Sequence, residues 1–226
     1  MKTGMTTAEP RTSLPHGCRR GIAGLLLALV CGCGALNSAV SPHPNFFSLI
    51  DARGAGQAAP RTATAATAPT LTVNPPHAAA GFDSRRIMYM RQADQLEYFA
   101  HNEWIDTPAR MLAPLIVTAI ESSGAFRAVV QTPSPAASEM RLDTEILRLQ
   151  HEFLQAPSQV RFTLKAYLVD SATRRVIASR EFESAVPAAG EDPRGGVVAA
   201  NRAVQNVLDA LSAFCADAAR NARMEK

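Results

Sequence analysis

Two cysteines, Cys31 and Cys33, give this sequence its most specific chemical signal, because they directly follow a short apolar run. The run covers residues 21–30 and is about ten residues long, whereas a membrane-spanning helix needs roughly twenty. The polar stretch before it contains four basic residues, Lys2, Arg11, Arg19 and Arg20. A basic segment followed by a short apolar one is typical of a secretory signal peptide. A cysteine thiol at the end of such a signal can form a thioether to a diacylglycerol, which anchors a chain to a membrane.

The residues around Cys33 resemble the lipobox of bacterial lipoproteins. In that motif an aliphatic residue lies three positions before the cysteine and a small residue lies directly before it, and Val30 and Gly32 fill these positions. Cys31 is the alternative, but the bulky Val30 would then stand at the cleavage point. A plain signal peptide with two incidental cysteines is a further alternative. We therefore predict a signal peptide over residues 1–32 and lipidation of Cys33.

The residue after Cys33 bears on the destination of the chain. It is Gly34, whereas an Asp at this position resembles the inner-membrane retention signal of enteric-type bacteria. We therefore expect the protein at the outer membrane, held by its lipid anchor and facing the periplasm.

Removal of the signal changes the charge balance. The mature chain would have 194 residues (33–226), enough for one domain with a real core. The full sequence has a net charge of +3, and residues 1–32 carry four basic side chains against Glu9. The mature chain is therefore close to neutral, which gives no reason to expect a nucleic-acid partner.

Cys215 is the one other cysteine that survives the predicted cleavage. With Cys33 acylated it has no intramolecular disulfide partner. We interpret Cys215 as a buried, inert residue of a helix, with a reactive or intermolecular thiol as the alternative.

The remaining polar side chains form no recognisable catalytic or metal-binding pattern. No two histidines share helical spacing with each other or with a cysteine, and no nucleotide-binding or nucleophile motif is present. Asp143 and Glu145 share one strand face and could do acid–base work, although a solvated sheet face is the simpler interpretation. Trp104, Asp106 and Arg110 could form a surface site, or Trp104 could pack as a lid. We therefore expect no enzymatic activity, no metal and no cofactor.

The first half of the mature chain predicts a tether, short strands and a helix. Residues 33–45 form the lipidated tether, residues 46–50 a short strand, and residues 52–70 a low-complexity insert. Further short strands are predicted at 71–73, 86–91, 96–100 and 126–130. Thr107 and Pro108 begin a helix as N-cap and first helical residue. It places apolar residues on one face as far as Ile120 and contains Pro114, at which we expect a kink.

The second half predicts a meander of three strands and a long helix. The apolar residues of 140–153 switch from even to odd positions near Ile146 and Leu147, which indicates a bulge. Residues 160–168 alternate between apolar and polar side chains, and a turn at 170–173 leads to a return strand at 176–182. A loop over 187–196 precedes an amphipathic helix over 197–219. These elements predict a single α+β domain over residues 46–220. Its sheet is antiparallel or mixed, with about four to six strands and two helices packed on one face.

Several segments together resemble one family, the ABC-type transport auxiliary lipoproteins, which include the paraquat-inducible protein C-like lipoproteins. The matching segments are Phe46–Leu49, Arg86–Arg91, Leu96–Ala100, Glu103–Trp104, Thr107–Leu112, Arg161–Ala166, Val176–Phe182 and Ala199–Ala203. They cover essentially all of the mature chain, and their order behind a lipobox is more specific than any one of them.

The resemblance implies a periplasmic accessory of an ABC transporter. Its partners would be an MCE-domain (mammalian-cell-entry) periplasmic protein and an ABC permease and ATPase. Its cargo would be phospholipid or a related lipid moving between the inner and outer membranes. The candidate partner surface is the strand region with Tyr89, Tyr98 and Trp104, and a homo-oligomer is left open. The rival hypothesis is a structural lipoprotein that assembles another outer-membrane machine, for lipopolysaccharide or pili.

Overall fold

The computed structural model describes residues 43–51 and 67–224, all within one compact unit that spans residues 43–226. Nine strands and two helices occur along these residues. The strands are β1 (Asn45–Phe47), β2 (Thr70–Val73), β3 (His77–Ala78), β4 (Arg86–Gln92), β5 (Gln95–Trp104), β6 (Ala128–Gln131), β7 (Met140–Glu152), β8 (Gln159–Asp170) and β9 (Val176–Pro187). The helices are α1 (Pro108–Glu121) and α2 (Pro193–Met224). The predicted signal peptide, Cys33, residues 34–42 of the tether and residues 52–66 of the insert lie outside the described residues.

The long strand β7 organises a mixed sheet. One edge of β7 pairs with β8 along its whole length, and β9 follows β8, so the predicted antiparallel meander is confirmed. The other edge of β7 pairs in parallel with three short strands in succession, β2, β3 and β4. The strands β6, β5 and β1 extend the sheet beyond them. The predicted α+β class is confirmed, but nine strands are present in the described residues rather than four to six, because several short strands share one edge of β7.

The predicted bulge in β7 is present. The register of β7 against β8 shifts between Ile146 and Arg148, so that Leu147 has no partner. Before the shift, Leu142 and Ile146 are buried on the helix-covered face, and after it Leu149 is buried there. A bulge changes which face successive side chains reach. The change of parity in the sequence therefore marked a real change in the strand.

Helix α1 begins where the sequence predicted. Thr107 is its N-cap residue with extended backbone angles, Pro108 is the first helical residue, and Ser122 is the C-cap. The Thr107 side chain makes no capping hydrogen bond. Instead, the Asp106 carboxylate accepts a hydrogen bond from the Thr107 backbone N–H at 2.8 Å. Proline at the helix start and an apolar face toward the sheet both favour this position of the helix.

Helix α2 begins earlier than predicted, so the predicted 187–196 loop is wrong over residues 193–196. It starts at Pro193 rather than at residue 197. The carboxylate of Asp192 accepts a hydrogen bond from the backbone N–H of Gly195 at 2.6 Å, as an N-cap side chain does. Asp192 is thus the N-cap and Pro193 the first helical residue. The sequence did not predict this start, because Gly195 and Gly196 follow it and glycine is unfavourable within a helix.

The two helices cover one face of the sheet. The helices contact each other where the Ser212 hydroxyl of α2 donates a hydrogen bond to the Ala119 carbonyl of α1 at 2.8 Å. Helix α2 contacts the sheet through the rings of Phe214 and of Phe182 in β9, which meet edge-to-face with their centres 5.6 Å apart. Burying such apolar surface contributes roughly 25 cal/mol per Å². Neither helix combines the length and the apolarity needed to cross a bilayer.

The opposite face, called the outer face here, is polar over most of its area. Lys165 of β8 lies in register between Glu145 of β7 and Glu181 of β9. The Asp143 carboxylate accepts from Arg141 Nε at 3.0 Å and from the Asn74 amide at 2.6 Å. These contacts favour the interpretation of Asp143 and Glu145 as part of a solvated sheet face.

Candidate functional site: a groove on the outer face

The bulge at Leu147 places a second set of side chains on the outer face. Beyond it, Arg148, Gln150 and Glu152 lie on this face beside Arg161 of β8, whereas His151 lies on the helix-covered face. The β4–β5 hairpin approaches from the other side. Together these elements form an open groove of about 520 Å³, which we call the outer groove.

Apolar side chains line much of the outer groove, in contrast to the rest of this face. The large ones are Phe82, Met90, Leu96, Leu147 and Leu154. Leu96, near the tip of the β4–β5 hairpin, and Leu154, just after β7, are both exposed. Exposed apolar groups that share a concave surface are typical of a binding site.

Glu152 forms the buried part of a charged network beside this apolar lining. Its carboxylate accepts from Arg161 Nε at 2.9 Å and Nη2 at 3.2 Å, from Gln150 at 2.9 Å and from Gln159 at 3.0 Å. Burial alone would raise the pKa of Glu152, but these hydrogen bonds and the Arg161 charge outweigh burial and lower it. The Glu152 carboxylate is therefore fully paired within the protein.

Arg161 also bonds to Glu183 of β9 and so connects three strands. Glu183 accepts a hydrogen bond from Thr163 at 3.2 Å and lies 3.8 Å from the guanidinium of Arg148. Two arginines and two glutamates thus balance each other at this side of the groove. A ligand would not need to supply a compensating charge here.

The three aromatic residues predicted as a partner surface are separated by the fold. Trp104 is only 2% exposed and packs in the core, which agrees with its interpretation as a packing residue. The Tyr89 ring stacks 4.5 Å from Phe99, and its hydroxyl donates to Glu97 at 2.8 Å, a hydrogen bond that raises the pKa of Tyr89. Tyr98 is 47% exposed, with the guanidinium of Arg86 4.1 Å from its ring centre. Of these three, Tyr98 is the one accessible to a partner.

The structure contains a buried serine–histidine pair that sequence spacing does not predict, because its third partner, Glu191, is distant along the chain. The Ser158 hydroxyl lies 2.8 Å from His151 Nε2, and the Ser158 backbone N–H donates to Glu191 at 2.9 Å. Burial lowers the pKa of His151. Ser158 is completely buried, and the Glu191 carboxylate contacts Ser158 rather than Nδ1 of His151. This geometry differs from that of a hydrolase triad, in which the carboxylate orients the histidine.

His151 also contacts helix α2 closely. A Cβ added to Gly196 would lie 2.5 Å from His151 Nδ1. Gly196 therefore allows the first turn of α2 to approach the imidazole. The pair Ser158 and His151 connects the end of β7, the start of β8 and the start of α2.

Neither Cys215 nor the metal-ligating side chains of the described residues form a reactive or metal-binding site. Cys215 is buried, and burial raises the pKa of its thiol to about 12, so the thiolate that reacts or binds metal is not formed at neutral pH. Within the described ranges, no three metal-ligating side chains come together. Cys33 lies outside these ranges.

Comparison with known proteins supports both the fold and the family. Residues 53–212 match the family model of the ABC-type transport auxiliary lipoprotein component. A crystal structure of a Xanthomonas campestris protein of the family DUF330 is 26% identical, with a TM-score of 0.64 over 69% of this chain and 88% of its own. A second crystal structure, of an uncharacterized protein, is 11% identical, with a TM-score of 0.59 over 76% of this chain and 99% of its own. No curated protein sequence gives a significant match.

Proposed function

The chain belongs to the ABC-type transport auxiliary lipoprotein family, and on this basis we propose that it is a non-enzymatic accessory of a periplasmic lipid-transport system. Its anchor is the lipid on Cys33, and its location is the periplasmic side of the outer membrane. It works with an MCE-domain protein and with an ABC permease and ATPase, and the cargo is phospholipid or a related lipid. The family match over residues 53–212 is the observation that carries this proposal.

The outer groove is the surface through which we propose that the MCE-domain partner docks. Leu96 and Leu154 offer apolar contacts on its two walls, and a partner that covers them gains free energy from their removal from water. The charged side chains beside them are already paired. Covering paired charges carries a smaller desolvation penalty than covering free ones.

The hairpin residue Tyr98 extends this surface. It lies on β5 two residues from Leu96 and is exposed, and Arg86 stacks on its ring. Tyrosine and arginine are enriched among residues that dominate binding energy in interfaces. Tyr98 and Leu96 together present the β4–β5 hairpin as one wall of the docking surface.

Site-specific photo-crosslinking in cells tests this proposal. A photoreactive amino acid replaces Leu96 or Leu154 in the full chain, and a matched variant carries it at Val176, an exposed apolar residue at the start of β9. We expect an MCE-domain protein crosslinked from positions 96 and 154 but not from 176. Adducts that contain only lipopolysaccharide-export or pilus-assembly proteins would instead select the rival structural role.

A further inference from the structure

Two exposed apolar side chains lie in or beside β1, the first described strand of the domain. Phe46 in β1 is 53% exposed, and Ile105, directly after β5, is 60% exposed. The two lie close together because β1 pairs in parallel with the end of β5, and the Ile105 backbone N–H donates to the Phe47 carbonyl at 2.7 Å. We call Phe46, Ile105 and the neighbouring Arg85 the entry patch.

The entry patch has the composition of a surface that meets a lipid interface. The Arg85 guanidinium lies 5.3 Å from the Phe46 ring centre and pairs with Glu103 at 3.0 Å. Next to Ile105, Asp106 pairs with Arg110 at 3.0 Å. Long arginine side chains can keep their charge at the headgroup level while their stems and aromatic neighbours lie deeper. Because the nearby charges are paired, apolar contact rather than net charge would dominate binding to a bilayer.

The entry segment is fixed to the domain on both sides. β1 is hydrogen-bonded to β5, and three residues later the Asn201 side chain of α2 accepts from the Ile50 backbone N–H at 2.8 Å. The Asn201 amide also donates to the Val197 carbonyl at 3.2 Å within its own helix. A pull on the chain before Asn45 is therefore transmitted to both the sheet and the helix layer, and the entry patch does not move independently of the domain.

The short separation along the sequence between Cys33 and β1 favours the bilayer as the partner of this patch. Eleven residues (34–44) separate Cys33 from Asn45, and the twelve Cα-to-Cα steps between these two residues span roughly 40 Å at most when the chain is extended. β1 is the first element after this connection, so no other described strand or helix is nearer to Cys33 along the chain.

We propose that the entry patch contacts the surface of the bilayer that holds the lipid on Cys33, with Phe46 and Ile105 at the boundary between headgroups and acyl chains. This inference rests on the lipid anchor of the proposed function. The contact orients the domain relative to the membrane, and one lipid anchor on a tether does not by itself do so. The acyl chains hold the protein at the membrane, and the entry patch sets the orientation of the domain relative to the bilayer.

Fluorescence of residue-specific probes tests the orientation. A genetically encoded, environment-sensitive fluorescent amino acid replaces Ile105 in the full chain, and a control carries it at Val176, which is 57% exposed. The purified lipoproteins are inserted into vesicles of phosphatidylethanolamine and phosphatidylglycerol, with or without a lipid brominated in its acyl chains. We expect a blue shift and loss of most fluorescence to the brominated lipid at position 105. At position 176 we expect a water-like spectrum and no quenching. Phe46→Ser in the position-105 protein should reduce the quenching.

Vesicle flotation separates this inference from the proposed anchor. If the protein floats and the probe at 105 stays water-like, or if the probes at 105 and 176 are quenched equally, the entry patch has no special contact with lipid and the inference is overturned. If the purified protein carries no lipid and does not float, the anchor on Cys33 is wrong, and the inference that depends on it is overturned as well.

Discussion

The guanidinium of Arg161 makes two hydrogen bonds to the buried carboxylate of Glu152, from Nε at 2.9 Å and from Nη2 at 3.2 Å. The two residues lie on neighbouring strands, and the bulge at Leu147 is what places Glu152 on the same face as Arg161. Two hydrogen bonds between the same two groups fix the orientation of the guanidinium relative to the carboxylate as well as the distance between them. It gives the outer groove a rigid polar side next to its apolar lining.

Replacing Arg161 by methionine should strongly destabilise the domain. The substitution leaves the Glu152 carboxylate buried without its cation, and breaking one partner of a buried pair costs about 3–5 kcal/mol. Arg148→Met is the matched control, since Arg148 is exposed and its guanidinium is as far as 3.8 Å from the Glu183 carboxylate. An exposed ion pair contributes about 0–1 kcal/mol to stability. Urea denaturation of both variants gives the comparison. Equal losses of stability would show that the Glu152 pair has no special weight.

The stability contribution of Glu152 should depend on pH in one direction. Its pKa in the folded protein lies below the ordinary value of 4.5, so the folded state binds fewer protons than the unfolded state in this range. The resulting stability is fully present above pH 4.5 and is lost as the pH falls through the lower folded pKa. The difference in unfolding free energy between the native protein and Glu152→Gln should therefore shrink as the pH falls below 4.5. A difference that grows on acidification would contradict the lowered pKa.

Gly196→Ala should destabilise the domain, and removal of the His151 ring should reverse the sign of the effect. The new Cβ would meet His151 Nδ1 at 2.5 Å, and overpacking of this kind costs about 1–3 kcal/mol. In a His151→Ala background the clash is gone, and alanine in a helix is then more favourable than glycine by about 0.5–1 kcal/mol. Thermal or urea denaturation of the four proteins in the cycle measures this.

Gly190→Ala is the control for the glycine substitution. A Cβ at position 190 would meet only the Asp192 carboxylate, at 3.5 Å, which is an ordinary contact. We expect little change in the free energy of unfolding. A loss as large as that of Gly196→Ala would mean that the region tolerates no added methyl group, whatever lies opposite.

Cys33→Ala should release a folded domain from membranes. Without the thiol no thioether to diacylglycerol can form, and the strong contribution of several acyl chains to attachment is lost. Fractionation of cells into membrane and soluble parts, with mass spectrometry of the N-terminal peptide, measures this. Retention of the variant on membranes, or acyl groups on Cys31, would overturn the assignment of Cys33.

Asn201→Ala should loosen the entry segment without unfolding the domain. The Asn201 carbonyl oxygen is the acceptor for the Ile50 backbone N–H, and an ordinary hydrogen bond contributes about 0.5–1.5 kcal/mol. We expect faster hydrogen exchange over residues 48–50. Asn206→Ala, which removes an exposed contact with Ser184, should leave that exchange unchanged. Similar exchange in both variants would show that α2 does not hold the entry segment.

The sequence by itself determined the elements whose signals are local. The pair Thr107 and Pro108 specified the start of α1, because a proline suits the first helical position and few others. The change of apolar parity near Ile146 specified the bulge, because side chains alternate between faces with a period of two. The signals for Cys33 are also local, and its lipidation stays a prediction.

Only the tertiary structure decided which distant side chains meet. Glu152, Arg161 and Glu183 lie on three different strands. His151, Ser158 and Gly196 lie on a strand, in a loop and on a helix. No spacing along the chain predicts either group. The burial of Trp104 beside the exposure of Tyr98 was likewise settled by strand pairing and not by residue type. The periodicity of apolar residues and the capping residues predict individual strands and helices. A groove or a buried pair depends instead on the register in which separate strands and helices pack.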